Sequence, residues 1–168
     1  MNKKDLAKIE MICMNKCDNC PAKEKCKPDL KRAGKEWFYS PEVKKHFFHP
    51  ENLATSEPRD FDGVGEVGSP ACGDVMKLWV WIRGGKIVKC KWQTFGCASA
   101  IASTSMLSVM VTEKGGMKID RALKLTPKDI LKRLGGLPNI KIHCSVLGDQ
   151  ALRAAIKNYQ ERKSIALL

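Results

Sequence analysis

The sequence predicts an α+β fold with an antiparallel sheet, because strand-forming segments precede helix-forming segments in a chain of 168 residues. Two segments that alternate apolar and polar residues flank Gly84 and Gly85, a pattern typical of a β-hairpin. From residue 97 onward the apolar residues recur at helical spacing instead. The length favours one domain with an appendage of a few dozen residues.

The first predicted element is a helix at residues 40–47. Ser40 is a candidate N-cap, Pro41 suits the first turn, and Glu42 complements the helix dipole. Residues 49–63 are predicted to form a loop.

The register of the hairpin depends on the length of its turn. A two-residue turn would pair Ile82 with Ile87 and would set apolar residues against lysines further along. A three-residue turn at 84–86 keeps apolar residues opposite one another, and a one-residue slip would move every side chain to the other face. We therefore expect these pairs: Ile82 with Val88, Val80 with Cys90, and Leu78 with Trp92.

This register has consequences for three side chains. Cys90 faces the core, where we expect it to fill space as a buried apolar group. Trp79 and Trp81 lie on the opposite face. Either a helix or a loop partly covers them, or they contact the N-terminal extension or a partner.

Three helices are predicted after the hairpin. The segment that begins at Cys97 carries Ala100, Thr104, Leu107 and Val111 on one face, and its many Ala and Ser residues allow close packing. "TPKDILKRLGG" has a capping Thr126, a proline at the first helical position and a terminal glycine. The last helix is predicted at 144–162.

The charge and hydropathy of the chain limit its partners. The formal net charge is +12, but the lysines are dispersed, which favours a solvated basic surface over a nucleic-acid-binding face. No apolar run approaches the roughly 18 residues that span a bilayer. No secretory signal is evident, so we expect no membrane partner and a cytoplasmic location.

Eight cysteines indicate metal or redox chemistry in a reducing compartment. Three of them fall at element boundaries, and two of these lie at helix starts, which favour thiolate. Strand starts, strand ends and helix starts can converge at one end of such a fold. The predicted cluster of thiolate, imidazole and carboxylate groups is Cys72, Asp74, Cys97, His143 and Cys144.

Such a ligand set suits zinc or iron. Thiolates bind soft metals firmly, whereas the aspartate oxygen is a harder and weaker ligand. A site with one such ligand should release its cargo more readily than a four-cysteine site, which predicts a transient holder.

Three segments carry a family resemblance: "GEVGSPACGDVMKL", "TFGCASAIASTSM" and "LPNIKIHCSVLGDQALRAAI". They resemble the cysteine segments of the IscU/NifU-type iron–sulfur cluster assembly scaffolds, and "YSPEVKKHFFHPENL" resembles the opening helix of that family. The resemblance covers residues 37–163. It implies a small antiparallel sheet covered on one face by helices.

The resemblance also implies an activity. A cysteine desulfurase supplies persulfide sulfur, iron(II) arrives, and a [2Fe–2S] cluster is assembled and passed to recipient apoproteins. The protein would be a scaffold and carrier rather than an enzyme. Cys72, Cys97 and Cys144 would be the cluster and persulfide thiols, with Cys144 as sulfur acceptor. Asp74 would be a labile ligand and His143 an alternative one, and zinc occupies this site in some members when no cluster is present.

Partner contacts follow from the same resemblance. "LPNIK", with Leu137, Pro138 and Lys141, is similar to an element that an Hsp70-class chaperone reads, although Asn139 replaces its second proline. Tyr39 occupies the place of a tyrosine implicated in homodimer contacts.

Residues 1–36 form an extension outside the resemblance, and residues 37–168 form the scaffold domain. Four thiols at short spacing cannot fold around an apolar core, so a metal would have to supply the folding energy. A [4Fe–4S] cluster and structural zinc are equally compatible with this spacing. The four cysteines are Cys13, Cys17, Cys20 and Cys26.

Two other functions remain open on the residues alone. A zinc-dependent hydrolase would need a general base near the metal, and Glu66 is the acidic residue closest in sequence before Cys72. A zinc-binding regulatory or nucleic-acid-binding module would explain the basic charge together with the cysteine-rich extension.

Overall fold

A computed structural model describes residues 39–69, 73–137 and 143–165, with the backbone alone for Ser69 and residues 143–146. The chain divides into two units between Phe38 and Tyr39, and every described residue belongs to the second, Tyr39–Leu168. The predicted four-cysteine extension and residues Cys72, Pro138 and Lys141 lie outside the described residues. The boundary predicted at residue 36 therefore stays a prediction.

The three long strands precede the two longest helices, as the sequence predicts, although a short helix comes before them and a two-residue fourth strand comes later. The strands are Gly63–Ser69 (β1), Asp74–Arg83 (β2), Lys86–Phe95 (β3) and Met117–Lys118 (β4). The helices are Pro41–Phe48 (α1), Ala98–Thr112 (α2), Ile119–Ala122 (α3), Pro127–Arg133 (α4) and His143–Ile165 (α5), with a short 3-10 turn at Glu113–Gly115.

The four strands form one antiparallel sheet in the order β1-β2-β3-β4. Helices α2 and α5 pack on one face of it. The apolar core lies between these layers and includes Met76, Leu78, Leu107, Leu152 and Ile156. The α+β prediction is confirmed. Within the described ranges, no helix combines the length and the apolar character that crossing a membrane requires.

Local capping signals place two helices where the sequence predicts them. The Ser40 hydroxyl caps α1 by accepting a hydrogen bond from the Val43 amide at 3.1 Å. Thr126 and Asp129 form a reciprocal capping box at the start of α4.

Strand β1 is absent from the sequence prediction, because its glycines resemble a turn. The structure gives a different reason for two of them. A Cβ on Gly65 would lie 2.2 Å from the Ala151 carbonyl oxygen, and one on Gly63 would lie 2.3 Å from the Ala155 carbonyl oxygen. These glycines let α5 lie directly on the backbone of β1.

The predicted hairpin register is correct in the strands and wrong at the turn. Val80 pairs with Cys90 and Leu78 with Trp92, as expected, but Ile82 pairs with Ile87 across a two-residue turn. The register shifts between Trp81 and Ile82, and a β-bulge at Val88 restores the apolar pairing beyond it. Val88 is consequently exposed, and Ile87 takes its predicted place in the core.

The outer face of the sheet is crossed by residues 54–62, which we call the strap. The Ala54 amide donates a hydrogen bond to the Trp92 carbonyl of β3, and the Asp62 amide donates one to the Val80 carbonyl of β2. Between these two points, Glu57 forms a salt bridge with Lys77 of β2. Trp79 lies on this face and is fully buried. Trp81 is partly buried, and the Lys89 ammonium lies 4.4 Å from its ring centroid.

Candidate functional site

Antiparallel pairing brings Asp74 and Cys97 to one end of the sheet. Asp74 is the first residue of β2, and Val75 beside it pairs with Phe95, the last residue of β3. Cys97 follows two residues later, at the junction with α2. The convergence that the sequence predicts for these two residues is therefore present in the fold.

The Asp74 carboxylate lies against the backbone of Gly96. A Cβ at position 96 would be 3.0 Å from Asp74 Cγ and 3.1 Å from its Oδ1, closer than ordinary van der Waals contact. Asp74 is only 4% exposed. Glycine at position 96 thus makes room for a nearly buried carboxylate next to the Cys97 backbone.

Cys97 is the N-cap residue of α2. Its backbone is extended (φ −78°, ψ 169°), and its carbonyl accepts a hydrogen bond from the Ile101 amide at 3.1 Å. The thiol makes no capping hydrogen bond, and the residue is half-buried. The sulfur therefore sits at the amino end of a 15-residue helix, where the helix dipole favours negative charge.

Helix α5 begins at this same end of the sheet. A Cβ on Gly148 would be 3.9 Å from Met76 Sδ, and Ala155, further along the helix, lies against Gly63 at the opposite end of β1. His143, the first residue of α5, precedes Gly148 by about 7.5 Å of helix rise. The backbone of His143 and Cys144 therefore lies towards Asp74.

The remaining predicted ligand, Cys72, is outside the described residues. Ser69 pairs with Asp74, so the described chain leaves β1 and returns in β2 at this end of the sheet. Among the side chains that the structure describes, no group of three His, Cys, Asp or Glu residues lies close enough to hold a metal ion. The described side chains contribute Asp74 and Cys97 to the predicted set.

Tyr39 and Ser99 adjoin the candidate site, and the sequence analysis did not connect them. The Ser99 hydroxyl donates a hydrogen bond to the Tyr39 hydroxyl oxygen at 3.1 Å. Ser99 lies in the first turn of α2, two residues after Cys97. Tyr39 and Leu137 both pack against the edge of the core, and their predicted partner contacts stay predictions.

An exposed apolar pair also borders the site, and the sequence analysis missed it. Val75 and Phe95 are cross-strand partners, and Phe95 is 68% exposed. The sequence did contain a signal for this exposure. Within each strand apolar and polar residues alternate, and both Val75 and Phe95 fall on the positions that face away from the core. The exposed ring of Phe95 thus lies two residues before the half-buried Cys97.

Cys90 and His46 are buried away from this end. Cys90 is fully buried in the apolar core, as the sequence predicts, and this burial raises the pKa of its thiol to about 12. His46 Nδ1 lies 2.7 Å from the Ser105 hydroxyl oxygen between α1 and α2, and burial lowers its pKa.

The fold and this convergence define a small α+β domain with a thiol and a buried carboxylate at one end. The family model for the NifU-like N-terminal domain matches residues 38–166. The chain therefore belongs to this family, which confirms the resemblance.

Two relatives illustrate the match. The nitrogen fixation protein NifU of Nostoc sp. is 48% identical over 130 residues, covering 74% of this chain and 42% of NifU, so the chain spans less than half of that relative. The iron-sulfur cluster assembly scaffold protein IscU 1 of Archaeoglobus fulgidus is 46% identical over 122 residues, covering 73% of this chain and 76% of the relative.

A solved structure agrees with the fold. The N-terminal NifU-like protein from Brucella abortus matches with a TM-score of 0.55 at 18% identity, covering 73% of this chain and 94% of that one. These comparisons lend no support to the alternative of a zinc-dependent regulatory or nucleic-acid-binding module.

Proposed function

We propose that the protein is a scaffold on which [2Fe–2S] clusters are assembled and from which they pass to recipient apoproteins. One observation carries the proposal: the nearly buried Asp74 carboxylate lies against Gly96, beside Cys97 at the start of α2. The names of two relatives from Archaeoglobus fulgidus, both described as iron-sulfur cluster assembly scaffold proteins, point in the same direction.

The ligand roles follow from the chemistry of the donors. Cys72, Cys97 and Cys144 supply thiolates, which bind iron and zinc strongly. Asp74 supplies one harder oxygen donor, and its low exposure keeps water from competing for the metal. His143 is an alternative nitrogen donor at the start of α5. The same donors can hold zinc when no cluster is present.

Sulfur enters as the persulfide of a cysteine desulfurase. The Cys144 thiolate attacks the outer sulfur of that persulfide, the sulfur–sulfur bond breaks, and the desulfurase thiolate leaves. The sulfane sulfur is then bound to Cys144. Its conversion to sulfide needs two electrons per sulfur atom, which an external electron donor must supply.

Anaerobic reconstitution with desulfurase, cysteine, a thiol reductant and iron(II) tests the proposal. The wild type should develop visible absorption from a cluster, and Cys97→Ser should abolish it. Cys90→Ala is the matched control, since it removes a buried cysteine outside the proposed site. Equal cluster yields in wild type and Cys97→Ser would refute the assignment.

Asp74 is tested through release rather than assembly. Asp74→Ala should slow cluster transfer to an apo-ferredoxin, because the weak oxygen ligand is no longer there to dissociate first. Circular dichroism of the acceptor cluster follows the transfer. Faster transfer from the variant would contradict the role of a labile ligand.

The N-terminal extension holds a second proposed site, formed by Cys13, Cys17, Cys20 and Cys26. It binds either a [4Fe–4S] cluster or zinc, and metal and acid-labile sulfide analysis of anaerobically purified protein distinguishes the two. Deleting residues 1–36 should leave cluster assembly on residues 37–168 intact. Complete loss of assembly in the truncated protein would show that the extension takes part.

Two partner contacts belong to the same proposal. Leu137, Pro138 and Lys141 form the segment offered to an Hsp70-class chaperone, and Tyr39 contributes to a homodimer. Tyr39→Phe separates the two uses of this tyrosine, because it removes the hydroxyl that Ser99 binds and keeps the ring. A dimer mediated by the ring should persist in that variant, as measured by analytical ultracentrifugation.

A further inference from the structure

A basic cavity lies at the end of the sheet opposite Asp74 and Cys97. Its volume is about 330 Å³, and its lining combines Met110 and Met117 with charged side chains. β3 runs its full ten residues between this end and the candidate site, a distance of roughly 30 Å. Four cationic residues from four different elements line the cavity: Lys86, Lys114, Lys118 and Arg121.

The acidic residue in the lining, Glu113, is already neutralised. Arg133 Nη1 donates to Glu113 Oε1 at 2.6 Å, and Nη2 donates to the other carboxylate oxygen. This bidentate pairing holds the pKa of Glu113 below its usual value, with Lys114 and Arg121 adding to the effect. Across the described ranges, none of the four lining cations has an ion pair of its own.

Two of these cations repel each other within the sheet. Lys86 and Lys118 are direct cross-strand partners between β3 and β4. Like charges directly opposite one another destabilise a strand pair. The fold therefore keeps a like-charge pair in the lining of the cavity.

A third cation is held in a costly backbone conformation. Lys114 lies in the left-handed region (φ 54°, ψ 35°), which disfavours side chains other than those of glycine and asparagine. Two residues later, Gly116 lies directly against the Val88 bulge, since a Cβ there would lie 2.5 Å from the Ile87 carbonyl oxygen. Strain of this kind is concentrated at functional sites.

We propose that this cavity binds an acidic segment of a partner protein, an extended peptide in which Asp or Glu side chains alternate with apolar ones. Carboxylates would neutralise the Lys86–Lys118 pair. Apolar side chains would pack on the two methionines, whose flexible side chains adapt to irregular partners. Lysine ammonium groups spread over several elements suit separate carboxylates better than one compact phosphate, which favours the forked geometry of arginine.

This binding site goes beyond the proposed assembly function, because it lies far from the cluster ligands and needs no iron or sulfur. It would let a partner remain bound while the opposite end of the sheet is occupied. It also means that four of the positive charges behind the net charge of +12 contribute to binding a partner.

The test measures fluorescence anisotropy of a labelled Glu-Leu repeat peptide with the full chain, and uses a Gln-Leu peptide as the uncharged probe. Lys118→Glu should weaken binding of the acidic peptide by about tenfold or more. It should also raise the melting temperature, because it replaces a like-charge pair with an opposite-charge pair. Lys163→Glu, an equal charge change at an exposed position in the last turn of α5, should leave peptide binding unchanged and should not raise the melting temperature.

Lys114→Gly provides a second variant that removes both the charge and the strained side chain. It too should bind the acidic peptide more weakly while melting at a higher temperature. Equal loss of binding in Lys118→Glu and Lys163→Glu would overturn the proposal in favour of net charge alone. Equal binding of both peptides by the wild type, or complete displacement by inorganic phosphate at equimolar concentration, would overturn it as well.

Discussion

Replacing Gly65 with alanine tests whether β1 must lack a side chain at this position for α5 to pack against it. A Cβ at this position would lie 2.2 Å from the Ala151 carbonyl oxygen and 2.5 Å from the Ala155 amide nitrogen. Both atoms belong to the backbone of a 23-residue helix, so no side-chain rotation relieves the clash. The helix must instead move about 1 Å away from the sheet before the contact becomes ordinary.

The cost of this movement falls on the core. Leu152 and Ile156 are fully buried on α5, and a gap of about 1 Å sacrifices a quarter to a half of their dispersion contacts. We expect Gly65→Ala to lower the free energy of unfolding by about 3 kcal/mol. For a domain of this size that loss corresponds to a fall in melting temperature of roughly 10 °C.

Gly68→Ala is the matched control in the same strand. Among the described residues, its Cβ would meet no atom closer than 3.8 Å, and alanine changes the entropy of the unfolded chain equally at both positions. Chemical denaturation of the two variants, followed by tryptophan fluorescence, measures the difference. Equal stability of the two variants would refute the claim that direct backbone contact positions α5.

Three further predictions concern the site and its surroundings. Burial, and to a smaller extent the charge of Lys45, lower the pKa of His46 in the folded protein. The imidazole therefore binds a proton more readily in the unfolded chain than in the folded one. The free energy of unfolding should consequently fall as the pH drops below 6.5, by at most about 1.4 kcal/mol per pH unit. Urea melts should show a shallower pH dependence for His46→Asn but not for His49→Asn, and equal slopes in all three proteins would disprove the assignment. Native-state alkylation analysed by mass spectrometry should modify Cys97 and leave Cys90 unmodified, since the Cys90 pKa is raised to about 12 by burial; rapid labelling of Cys90 would contradict its place in the core. Phe95→Ser should slow desulfurase-driven assembly by roughly tenfold without affecting assembly from inorganic sulfide, whereas Val88→Ser, at the other end of the hairpin, should change neither rate.

The sequence was sufficient wherever a local signal decides the structure. Ser40 and Thr126 begin their helices as predicted, since a capping side chain acts within a few residues of itself. The meeting of Asp74 with Cys97 was also predictable. The two residues meet because they flank one antiparallel hairpin, which starts at Asp74 and ends just before Cys97.

The sequence was insufficient where a distant part of the chain decides. Gly63 and Gly65 lie in a strand because α5, about ninety residues later, occupies the space of their missing side chains. The bulge at Val88 lies against Gly116, which no periodicity within the hairpin reveals.

The strap has a consequence for how the molecule meets other proteins. It crosses the broad side of the sheet that the helices leave uncovered, where the indole of Trp79 is fully buried. In the described strands, the large hydrophobic side chains that remain exposed lie near the two ends of the sheet: Val75 and Phe95 at one end, and Val88 near the other. A cluster assembly scaffold gains from this arrangement, because apolar contacts with other proteins are confined to the ends of the sheet and its flat face offers little apolar surface for aggregation.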